Sequence, residues 1–204
     1  MKIRIALAFE LIVLFVLLPI LYWLNWVPIH KLIPLVMLFV YCSLFLFKYN
    51  RVQPERWALR GNWNMILWRF VIVAIVVFMT LMFLPGHAVV ADFEGNKNLV
   101  IMMILYPFLS AFPQEVIFRE FFFYRYRLLF KRDAVMYVSG VILFAFAHIY
   151  FTNWIVIAFT LVGGIIFSQT YLKTRSLLMV TIEHTLYGLL ILASGLTDYF
   201  YKAF

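Results

Sequence analysis

Seven times along this chain the apolar residues run on for longer than a soluble core element needs, over roughly 5–23, 32–47, 65–83, 99–123, 135–151, 154–171 and 177–196. A helix crosses the hydrocarbon of a bilayer in about 20 residues, and these runs are of that order. None alternates polar and apolar residues as a transmembrane barrel strand does, so helices are the way to satisfy the backbone in lipid. Composition agrees, because only 13% of the residues are charged and 66% are hydrophobic, whereas a soluble domain covers its surface with about a quarter charged. The expected fold is an all-α, polytopic transmembrane helix bundle of about seven helices. The connections are short and no repeat or low-complexity tail intervenes, so residues 1–204 read as a single integral membrane domain.

A net charge of +8 in a soluble protein would suggest nucleic acid. Here the basic residues sit between the apolar runs, where they face anionic headgroups, so membrane lipid is the expected partner and nucleic acid is not. Alternate connections carry Lys2 and Arg4, then Lys48, Arg51, Arg56 and Arg60, then Arg125, Arg127, Lys131 and Arg132, then Lys173 and Arg175. The opposite set holds only Lys31, Lys97 and Lys202, beside Asp92, Glu94 and Asp198. The positive-inside bias places the N-terminus in the cytoplasm and the C-terminus outside. The first run contains Glu10 and no clear small-residue cleavage site, so it reads as an uncleaved helix rather than a signal peptide. Cys42, the lone cysteine, reads as a packed or lipid-facing residue. Gly163-Gly164 marks a close helix contact, and 54–64 is read either as an interfacial segment or as a plain loop.

Ionisable side chains at membrane depth cost several kcal/mol each and mark function by default. Glu10 and Arg69 lie near helix ends and can snorkel, while His30 and His87 fall in loops. Three clusters have no such escape. In PQEVIFRE, Glu115 and Arg119 are four apart and share a helix face, in the favoured order for a charge-assisted pair. In FAFAHIYFTNW, Phe144 and His148 share a face near the end of a run, and TIEHTLYG carries Glu183 and His184. Neighbouring helix positions point about 100° apart, so Glu183 and His184 cannot both face one site. A structural ion pair and packed histidines are the bland reading of each cluster alone. Together they supply a carboxylate, a guanidinium and two imidazoles on three membrane helices. A desolvated carboxylate is a better general base, an imidazole beside it can hold water, and a second can stabilise an oxyanion. Hydrolysis of an amide by water is the reaction this set suits; no Ser or Cys stands near a His as a nucleophile.

At these residues the chain resembles the CAAX protease and bacteriocin-processing (Abi) family of intramembrane peptidases. The family pattern is Glu-Glu-x-x-x-Arg, then Phe-x-x-x-His, then His-x-x-x-Asn/Asp. This chain offers Gln114-Glu115-Val-Ile-Phe-Arg119, Phe144-Ala-Phe-Ala-His148 and His184-Thr-Leu-Tyr-Gly188, within a core of roughly 99–196. The resemblance implies a membrane-associated peptide or protein substrate, a multi-pass place in a bacterial plasma membrane, and four catalytic residues. These are Glu115 as base, His148 as its water-positioning partner, His184 as oxyanion donor and Arg119 as orienting cation, with Gln114, Phe144, Gly188 and Glu183 in support. Gln114 stands where the family has its first Glu, and Gly188 where it has Asn or Asp. A catalytically silent relative acting as a membrane scaffold or immunity-type binding protein is the alternative.

No cofactor is expected. The lesser possibility is zinc on Glu115, His148 and His184, for which no local ligand spacing speaks. Depth sets a difficulty: at 1.5 Å per residue, straight helices put Glu115 about 15 Å from Arg125, His184 about 13 Å from Arg175 and His148 about 24 Å from Arg132. A break at Pro113, tilt or a wet cavity would have to bring them together.

Overall fold

The structure is a computed structural model that describes residues 2–49, 54–59, 61, 63–84, 90–93 and 97–201. Arg51, Arg60, His87, Glu94 and Lys202 lie outside the described residues. The described chain is helical without a strand, and six of its helices are long and apolar enough to span a membrane. They are α1 (Lys2–Trp23), α2 (Leu32–Tyr49), α3 (Trp63–Phe83), α4 (Asn98–Arg125), α5 (Asp133–Phe151) and α6 (Trp154–Thr174). The shorter apolar α7 (Leu177–Ala193) is the seventh. The all-α membrane bundle expected from the apolar runs is thus the fold, and the chain is an integral, multi-pass membrane protein. Phe9, Phe47, Trp68, Phe83, Phe108 and Trp154 are each at least 70% exposed on its outside, a surface that lipid covers at no cost and water does not.

Two helices depart from regular α geometry where proline withholds its N–H. In α1 the turn Val13–Leu17, just before Pro19, is π-helical. In α4 the π turns Pro107–Ala111 and Val116–Phe121 flank a short α piece, Phe112–Glu115, that contains Pro113. Such wide turns are rare and recur at functional sites. The span Asn98–Arg125 runs on through these turns without a break, so Glu115 and Arg119 stay in one continuous helix. The π turn of α1 aims Phe15 into α4, where it meets Phe118, Phe122 and Tyr126 edge-on at 5.3, 5.6 and 5.8 Å. These rings form the centre of the aromatic core.

Glycine brings α5 and α6 together, as the paired glycines suggested. A Cβ on Gly164 would stand 3.2 Å from the Val141 carbonyl and 3.3 Å from the Phe144 ring. Cys42 is packed, with no exposed surface. The 54–59 segment turns inward: Arg56 pairs with Glu120 at 2.8 Å, and the Ser176 hydroxyl that caps α7 donates to the Ala58 carbonyl.

Glu10 and Arg69 both find partners in other segments of the bundle. Glu10 accepts two hydrogen bonds from Arg125, at 2.9 and 2.6 Å. Arg69 reaches across the bundle to Thr170, Gln169 and Glu183. A partner of opposite charge lowers the cost of holding either group at membrane depth.

Candidate active site

Helix α4 carries the first part of the site. The Gln114 amide lies on the wall of a cavity of about 1070 Å³ that opens to the outside of the bundle past exposed residues such as Ile101 and Trp154, and its Nε2 donates to Ser110 one turn earlier at 2.8 Å. Glu115 does not line that cavity. It is fully buried, and its two oxygens face His184 Nδ1 at 2.7 Å and Arg119 Nε at 3.3 Å. Arg119 is equally enclosed. Its guanidinium lies over the Phe144 ring at 4.7 Å and near Phe167 at 5.9 Å, and none of its nitrogens has a hydrogen-bond partner. One carboxylate and two aromatic faces therefore balance the buried charge.

His184 comes from the middle of α7. Phe167 of α6 stacks on its ring at 4.4 Å, and Phe144 and Tyr106 approach edge-on at 5.9 and 6.1 Å. A carboxylate only accepts, so Nδ1 carries the proton, and in the neutral ring Nε2 is left with its lone pair toward the cavity. His148 is fixed in the same way. Its α-helix ends at Phe146, the next turn tightens, and Nδ1 sits 2.8 Å from the Phe144 carbonyl. A carbonyl also only accepts, so His148 too is Nδ1-protonated with an open Nε2. Both histidines line the same cavity, and Phe144 stands between them, touching His148 at 5.1 Å and His184 at 5.9 Å.

Glu183 faces elsewhere, as the angle between adjacent helix positions requires. It accepts from Thr170 at 2.5 Å and Tyr187 at 2.9 Å, with Arg69 at 3.7 Å. This second polar cluster braces α3, α6 and α7 beside the site. Among the described residues no group of three or more His, Cys, Asp or Glu is placed to hold a metal ion. The oxygens that zinc would need from Glu115 already face His184 and Arg119.

The apolar runs concealed two contributors. Phe167 orients His184, and Tyr106 borders both the cavity and Gly188. The only sequence signal for Tyr106 was the missing side chain at 188.

Residues 96–190, just under half of the chain, match the family described as Rce1-like, type II CAAX prenyl endopeptidase. This core resembles the Rce1-like family. The matched stretch takes in all three clusters, from Gln114 to Gly188, and it supplies Gln114, Phe144, His148, His184 and Gly188 to a cavity wall that residues of α1, α2 and α3 complete. The Rce1-like family is a family of intramembrane proteases. No curated protein and no solved structure gives a significant match to the chain.

Proposed function

We propose that the protein is an intramembrane endopeptidase that cuts a peptide bond in a membrane-associated protein or peptide, with His184 as the proton acceptor. The observation that carries this is the 2.7 Å bond between Glu115 and His184 Nδ1. It leaves Nε2 basic on the cavity side and holds Glu115 behind the ring, where it stabilises the imidazolium that forms. In this scheme the direct base is the imidazole and Glu115 acts through it, with Arg119 paired to the carboxylate at 3.3 Å. His148 Nε2 accepts a second hydrogen from the water and so orients its lone pair.

Attack proceeds with the water proton passing to His184 Nε2 and the new C–O bond forming at the scissile carbonyl carbon. When the C–N bond breaks, His184 returns the proton to the leaving amine. A carboxylic acid and an amine result, and the site is restored. The cavity is lined mainly by apolar and aromatic side chains, which suits a substrate with an apolar or lipid-modified segment. A prenylated chain is one such substrate. The distribution of basic residues among the connections supports a cytoplasmic N-terminus.

Comparing new peptide termini in membranes from cells expressing the wild type, Glu115→Ala and His184→Ala tests the proposal. The wild type should yield termini absent from both variants, each variant losing at least about 100-fold while inserting normally. Equal termini in the wild type and His184→Ala would remove the mechanism. The cavity wall bears Gln114 where the family has a carboxylate, and that favours the second reading, a silent binding protein. It predicts a partner retained by both variants and no new termini from any of them.

A further inference from the structure

Gly188 stands at the position where the related pattern has Asn or Asp, yet the space there is not empty. A Cβ built on Gly188 would collide with Cε1, Cζ and the hydroxyl of Tyr106. The tip of the Tyr106 side chain therefore occupies the volume that a side chain at 188 would need. Tyr106 lies at the end of the first α-helical part of α4, next to the π turn that starts at Pro107. The edge of its ring meets His184 at 6.1 Å. Tyr106, His184, Gly188 and Gln114 all line the one cavity.

Chemistry leaves a vacancy for it. With both imidazoles protonated on Nδ1, neither offers an N–H to the cavity from Nε2 in the resting state, and Gly188 offers no side chain. A tetrahedral intermediate would still carry a negative oxygen that needs a preorganised donor. We infer that the Tyr106 hydroxyl donates the hydrogen bond to that oxyanion, entering from a different helix to replace the polar group missing at 188. No proton is transferred and no covalent bond of the phenol is broken. The inference rests on the proposed peptidase reading.

The test uses full-length protein in liposomes and a fluorogenic peptide built on the cleavage site found in the terminus comparison. Tyr106→Phe removes the hydroxyl and keeps the ring. It should lower kcat by about 100- to 1,000-fold, with KM and the thermal unfolding midpoint close to wild type. Gly188→Asn alone should also lose activity, because its side chain must displace the phenol. Tyr106→Ala with Gly188→Asn should recover at least tenfold over Gly188→Asn, with the amide donating in place of the phenol. An active wild type, an inactive His184→Ala and a fully active Tyr106→Phe would overturn this inference alone. A wild type that cleaves nothing overturns the peptidase reading and this inference together.

Discussion

Arg119 is the side chain with the least choice in the molecule. It is fully buried, the anion it pairs with among the described residues is Glu115 at 3.3 Å, and two phenylalanine faces close it in. Removing one member of such a pair leaves a bare charge in low dielectric, which costs about 3–5 kcal/mol, whereas removing both costs much less. Arg119→Met should therefore destabilise the protein by about 3 kcal/mol, and Glu115→Gln with Arg119→Met by less than Arg119→Met alone. Thermal or denaturant unfolding in detergent measures both, and strict additivity would mean that the two charges do not stabilise each other. The pairing of 115 with 119 was readable from a four-residue spacing. The turning of Glu115 away from the cavity was not, because the α spacing used to place it ignores the wide turns on either side of Phe112–Glu115.

At the scale of elements, the apolar runs and the helices agree closely. The run drawn over 65–83 is the helix Trp63–Phe83, and that drawn over 154–171 is Trp154–Thr174, since hydrocarbon thickness sets both. What the runs could not show is interruption within a span. The early end of the α5 α-helix at Phe146 and the tight turn after it put His148 on the cavity wall, although a straight helix would leave it shallower than Glu115. That wall depends on the α5–α6 contact. With Val141 O 3.2 Å and the Phe144 ring 3.3 Å from a Cβ at 164, Gly164→Val forces backbone apart where Phe144 holds Arg119 and His148. A loss of about 1–3 kcal/mol in unfolding stability should accompany reduced cleavage. Unchanged stability would show that α5 and α6 do not depend on this approach.

The whole bundle is pinned by ion pairs between segments remote in sequence: Glu10 with Arg125, Arg56 with Glu120, and Arg69 with Glu183. The first two each tie a basic residue, Arg125 or Arg56, from a connection that the charge pattern assigns to the cytoplasmic side to a glutamate in a helix. Reporter fusions should accordingly be active in the cytoplasm when placed before Lys2 and outside when placed after Phe204. The opposite result would invert the inferred topology. Tyr106 and Gly188 carry a lesson of another kind, about descent. The ring and the bare backbone exclude any other occupant of their shared space, so a mutation that enlarges residue 188 meets a wall unless position 106 has already shrunk. Reversal would have to pass through an intermediate chain lacking both groups. History in this pocket therefore runs more easily in one order than in the other.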